Sequence, residues 1–147
     1  MPMYDVSKLK TPADARNVLD NATKRGRHDV YQLAFRRLTE LEGEAYEDPI
    51  ARQFWAAVAA IEETSRQKHG KALKALATRK KAAKVGEIAC LNDWALKKEQ
   101  PDGFDMLVTA GLGDQTGEYV VVQNAEHFSP EAVSAAKSRL EERGVVV

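Results

Sequence analysis

Apolar residues recur at helical spacing along most of the chain, and the residues between them mark where helices start and stop. Thr11 is placed to cap a helix, with Pro12 at its first position and Asp14 three residues on. Ala15, Val18, Leu19 and Ala22 then follow on one face. Gly26 supplies a left-handed residue that ends this helix. Asp29, with Gln32 three residues later, restarts the pattern. Tyr31, Ala34, Phe35, Leu38 and Leu41 make the next stripe, closed by Gly43. So short a turn at 26–28 predicts two antiparallel helices.

Asp48-Pro49 opens a third helix, with Ile50, Phe54, Val58 and Ile61 as its stripe and Trp55 at the edge. Gly70 ends or bends it. Lys71–Val85 (KALKALATRKKAAKV) consists of strong helix formers and stops at Gly86. Ala72, Leu73, Leu76 and Ala83 fall in one sector of that helix and predict a thin buried stripe, with Lys80 inside it. Ile88, Leu91, Trp94 and Ala95 mark a fifth helix ended by Pro101. Phe104, Leu107 and Val108 mark a short sixth.

The pattern then changes. Gly111–Gly117 (GLGDQTG) reads as a loop. Tyr119–Gln123 (YVVVQ), short and β-branched, reads as a strand. One strand cannot form a sheet, so it pairs with the 145–147 tail, pairs between two subunits, or stays extended. Ser129-Pro130 starts a last helix, with Phe128 and Val133 at the positions of a hydrophobic staple. Gly144 ends it, and Val145 is placed to reach back to Leu140. The expected fold is mainly α. It is a compact bundle of about six helices with at most one short β element near residues 119–123, in a single helical domain over residues 1–147.

Composition narrows the function classes. With 147 residues, 44% hydrophobic and 30% charged, the chain has globular composition and enough length for a core. A single cysteine, Cys90, excludes an intrachain disulfide and a cysteine-based metal cluster. The start, Met-Pro-Met-Tyr-Asp, lacks the charged and apolar regions of a signal peptide. The longest apolar run, Phe54–Ile61, falls well short of the ~20 residues of a membrane span. A cytoplasmic protein with no membrane association is expected.

Net charge is zero, with 22 basic and 22 acidic residues, but the charges are segregated. Residues 64–86 hold eight basic residues and no acidic one: Arg66, Lys68, Lys71, Lys74, Arg79, Lys80, Lys81 and Lys84. Residues 87–128 hold two basic and eight acidic ones. A second basic spot, Lys24-Arg25-Gly26-Arg27-His28, lies in the first turn. Two readings compete. In one, the cationic face meets phosphates and releases counterions. In the other, it is solvated or answers the chain's own acidic segments.

Catalytic patterns do not assemble. His28, His69 and His127 lie near helix ends or loops and lack the i, i+4 spacing of a helical zinc pair. Nothing cationic adjoins Cys90 in sequence, so it reads as a buried, inert thiol. Ser134–Lys137 and Ser65–Lys68 both match SxxK, without the partner motifs that would give the match meaning. The glycines of 111–117 follow a helix and precede an apparent strand, the reverse of a phosphate loop. Pro101-Asp102 with Glu118 lacks the lysine of a metal-dependent nuclease, since position 120 is Val120. The fifth and sixth helices resemble a helix-turn-helix in outline. The would-be recognition helix, however, carries Asp102 and Asp105 and no base-reading Arg, Asn or Gln.

Three function classes follow, with no cofactor expected. The first is a non-catalytic protein that binds DNA or RNA with little sequence specificity. It would use Arg66, Lys68, Lys71, Lys74, Arg79, Lys80, Lys81 and Lys84, with Arg25 and Arg27 as a second contact. The second is a protein-interaction or homodimerisation module using the edge of Tyr119–Gln123 or the Trp55 and Trp94 region. The third is an enzyme, for which a cleft grouping Asp114, Glu118 and His127 would be the sign.

Overall fold

The computed structural model describes residues 5–70, 75–97 and 102–147. Within them a 3-10 turn at Val6–Lys8 precedes α1 (Pro12–Lys24), α2 (His28–Gly43) and α3 (Pro49–His69). Then come α4 (Leu76–Val85), α5 (Glu87–Leu96), α6 (Asp102–Thr109), α7 (Gly117–Gln123) and α8 (Pro130–Glu142). The architecture is mainly α, with eight α-helices rather than about six and no strand among the described residues.

Three helices start where their caps predict. Thr11 Oγ1 accepts from the Asp14 amide at 3.2 Å, Asp48 Oδ2 from Ala51 at 2.9 Å and Ser129 Oγ from Ala132 at 3.2 Å. Each satisfies a donor that the first helical turn leaves open. α2 differs. It begins at His28, behind Arg27, and no side chain caps it. Asp29 turns back to Arg27 instead, taking Nε at 3.1 Å and Nη2 at 3.0 Å. α8 ends as expected: the Val145 amide donates to Leu140 at 3.0 Å around Gly144, whose φ is +76°.

Two cores share one helix. Leu19, Ala34, Phe35, Leu107 and Leu112 pack with Ala60 of α3. Phe54, Val58, Leu91, Val121, Ala132 and Ala136 form the other core, so α3 contributes to both. α2 and α3 approach closely at Gly43, where a Cβ would sit 2.8 Å from the Arg52 carbonyl oxygen. That neighbour is backbone and cannot swing away. Gly43→Ala is therefore expected to cost about 1–3 kcal/mol, the range for forced overpacking. A urea midpoint equal to that of the parent chain would show that the two helices separate freely.

Two sequence expectations are overturned. Residues 119–123 are helical, within α7, not a strand. Thr116 Oγ1 accepts from the Tyr119 amide at 3.2 Å and starts the helix, while Glu118, Val120 and Val121 are buried on different sides. Packing on several faces here overrides the β preference of a Val run. This segment therefore offers no strand edge to pair with the 145–147 tail or with a second subunit.

The buried stripe expected on the basic helix is also misplaced. Leu76 is 63% exposed and Ala83 is exposed, while Ala82 is buried. Ala72 and Leu73 lie outside the described residues. The helix is oriented instead by Ala82 and the Lys81–Asp93 pair on the α5 side and by Arg79 on the α3 side. The Arg79 guanidinium pairs with Glu62 of α3 and lies 5.5 Å from the Trp55 ring centre. In a segment made of Ala and Lys, these polar anchors outweigh a weak apolar preference.

Candidate functional site

The basic segment is largely answered by carboxylates of the same chain. Arg66 on α3 donates to Asp20 Oδ1 at 2.7 Å and to Glu63 Oε1 at 2.8 Å. Glu63 is buried and also accepts from Gln67 at 2.8 Å. The bonds to Glu63 and Asp20 raise the Arg66 guanidinium above its ordinary pKa. Glu62 accepts from Arg79 through both Nε (2.8 Å) and Nη2 (2.7 Å), and from the Ala75 amide at 2.8 Å. One carboxylate thus ties α4 to α3 and serves the open start of α4, a fork-shaped pairing that is among the stronger polar contacts. Lys81 reaches Asp93 on α5 at 2.7 Å, and Arg27 is held by Asp29.

Lys80 and Lys84 remain, exposed and without an ion pair among the described residues. They stand one turn apart on α4, in line with Leu76. Arg25, at the end of α1, is likewise exposed, and so is Lys68. Lys71 and Lys74 lie outside the described residues. Leu76, in line with Lys80 and Lys84, is 63% exposed, and Val85 and Ile88 on either side of the α4–α5 corner are 47% and 42% exposed. The α4–α5 corner is therefore a mixed surface of apolar and cationic side chains, with Arg66, Arg79 and Lys81 already engaged.

The grouping that would have suggested an enzyme is absent. Asp114 pairs with Arg36, Glu118 is buried against Arg139, and His127 is exposed with Glu126 at 3.6 Å. No cluster of three His, Cys, Asp or Glu side chains suited to a metal forms among the described residues. Cys90 is buried, and burial raises its thiol pKa. Among the described residues no helix is long and apolar enough to cross a membrane.

Two features had little local sequence signal. Glu118 and Arg139, 1% and 8% exposed, form a buried pair: Arg139 Nη1 donates to Glu118 Oε2 at 2.7 Å and Nη2 to the Lys97 carbonyl. The other carboxylate oxygen, Oε1, has no hydrogen bond among the described residues. Burial holds the Glu118 carboxyl above its ordinary pKa, with Arg139 pulling the other way. The one available clue was an acid inside the apolar run GEYVVV.

The second feature is a cleft of about 460 Å³ between α2, α3 and the stretch from the 3-10 turn at Gly113–Gln115 through α7. Arg36 and Asp114 form an ion pair from α2 to that turn, and the Thr39 hydroxyl donates to Gln115 Oε1 at 2.6 Å. Ala56, Ala57 and Val120 give it an apolar floor. Comparisons with protein-family models, curated proteins and solved structures find no match to this chain.

Proposed function

We propose that the protein is a helical interaction module that docks an acidic, amphipathic segment of a partner protein on the α4–α5 face. The observation that carries this reading is exposed Leu76 in line with exposed Lys80 and Lys84 along α4, with exposed Ile88 at the start of the adjoining α5. Phosphates would use the lysines and leave the apolar area unsatisfied. A partner helix with Leu and Glu on one side would use both, in the manner of amphipathic helices recognised by apolar anchors. Self-association through this face is disfavoured, because a twofold contact would set the lysines of one copy against those of the other.

Nucleic-acid binding is the second reading, supported by the same exposed Lys80 and Lys84, with Arg25 as a separate cation. With two phosphate contacts, the log–log salt slope on duplex DNA would be only about −2.

One titration separates the readings. A labelled 18-residue Leu/Glu amphipathic peptide, a short duplex and a single strand are each added to the full chain at low salt. Peptide binding that is lost in Leu76→Ser/Ile88→Ser, with little binding of either nucleic acid, is the expected result. Nucleic-acid binding lost in Lys80→Gln/Lys84→Gln but indifferent to Leu76→Ser would establish the second reading instead. No binding of any probe would leave this face as plain surface and end both.

A further inference from the structure

We propose that the cleft between α2, α3 and α7 binds a free α-amino acid with a long, neutral, hydrogen-bonding side chain. None of its lining residues belongs to α4 or α5, so the site is separate from the docking face. Its volume, about 460 Å³, falls within the roughly 300–1,000 Å³ of small-molecule sites.

The chemistry of the ligand follows from what the cleft already holds. The side chains of Arg36 and Asp114 are 37% and 40% exposed. An ion pair this open contributes little and is readily exchanged. A ligand with one charge would engage one partner and leave the other to water. A ligand with a carboxylate and an ammonium on the same carbon satisfies both, the carboxylate on the Arg36 fork and the ammonium on Asp114. An α-amino acid carries the two charges one carbon apart, with the planar carboxylate that a guanidinium fork matches.

Beyond the pair, the Ala56, Ala57 and Val120 floor suits an apolar stem. Tyr119 and Gln123, one turn apart on α7, also line the cleft, and their side-chain polar groups make no hydrogen bond among the described residues. Gln53 has its Oε1 taken by Asn124 Nδ2 at 2.7 Å, which leaves its amide N–H groups. These groups are neutral donors and acceptors, matched to an amide rather than to a charge. Glu40, also on the wall, is paired with Arg37 and disfavours an acidic tip.

The test is calorimetric titration of the full chain with L-glutamine, L-alanine, L-glutamate, N-acetyl-L-glutamine and L-glutaminamide. L-glutamine is expected to bind saturably and to be preferred over L-alanine and L-glutamate. The acetylated and amidated forms, each lacking one charge, are expected to bind at least tenfold more weakly. Arg36→Gln and Asp114→Asn should each weaken L-glutamine at least tenfold with an unchanged circular dichroism spectrum, and Tyr119→Phe should weaken it several-fold. Lys137→Gln, away from the cleft, should leave affinity unchanged. If no amino acid saturates the chain, or if the blocked forms bind as well as L-glutamine, the proposal is wrong. Equal binding by the Arg36 and Asp114 variants would overturn it as well.

Discussion

Glu118→Ala is expected to cost about 3–5 kcal/mol of folding stability at neutral pH, because it leaves Arg139 charged and buried without its partner. The guanidinium would keep the Lys97 carbonyl but lose the 2.7 Å bond to Oε2, and a cavity would open between α7 and α8. Urea unfolding gives the number, and a loss under 1 kcal/mol would mean that water enters and solvates Arg139. Glu118→Gln tests the pH dependence. Burial raises the Glu118 carboxyl above its ordinary 4.5, so the folded chain keeps this proton to a higher pH than the unfolded chain does. The stability associated with that group is complete below pH 4.5 and is lost as the pH rises through the folded value. A glutamine copies the protonated form. The wild-type chain is therefore expected to match the variant near pH 4 and to fall behind it as the pH rises. The opposite trend would show that the ion pair outweighs the cost of burying the carboxylate.

Ending the chain after His127 is expected to abolish cooperative unfolding altogether. The deletion removes Ala132, Ala136 and Leu140, each fully buried, and leaves Glu118 without Arg139. It uncovers Leu91 and Val121, which belong to the same core as Ala132 and Ala136. A single Leu-sized deletion costs about 2–5 kcal/mol. Several together, with a stranded carboxylate, approach the 5–15 kcal/mol that a whole domain has to lose. A truncated chain that melts like the full one would make α8 an appendage.

Much of the helical framework is legible in local chemistry. Thr11-Pro12, Asp48-Pro49 and Ser129-Pro130 each mark a helix start to the residue, because cap and first-turn proline act within four residues of sequence. Gly26, Gly70 and Gly144 adopt the positive φ that ends a helix. The strand expected at 119–123 is replaced by α7, since a Val run looks the same in a strand as in a helix packed on several sides. The cap signal at Thr116, three residues before Tyr119, was present and outweighed it. The basic run was visible, but its partners were not: Asp20 lies 46 residues from Arg66 and Glu62 lies 17 from Arg79. The cleft was least accessible, since Arg36 and Asp114 are 78 residues apart. Periodicity reports which face of a helix is buried and carries no information about which distant charge lies opposite.

The membership of α3 in both cores has a thermodynamic consequence. Ala60 packs with Leu19, Phe35 and Leu107, while Phe54 and Val58 on the same helix pack with Leu91 and Val121. Neither side can melt while leaving this helix covered, because opening one exposes apolar area on the element the other depends on. Partial opening thus exposes a large share of the apolar surface for only part of the gain in chain entropy. The intermediate state is penalised from both directions, and the two halves are held to a single transition.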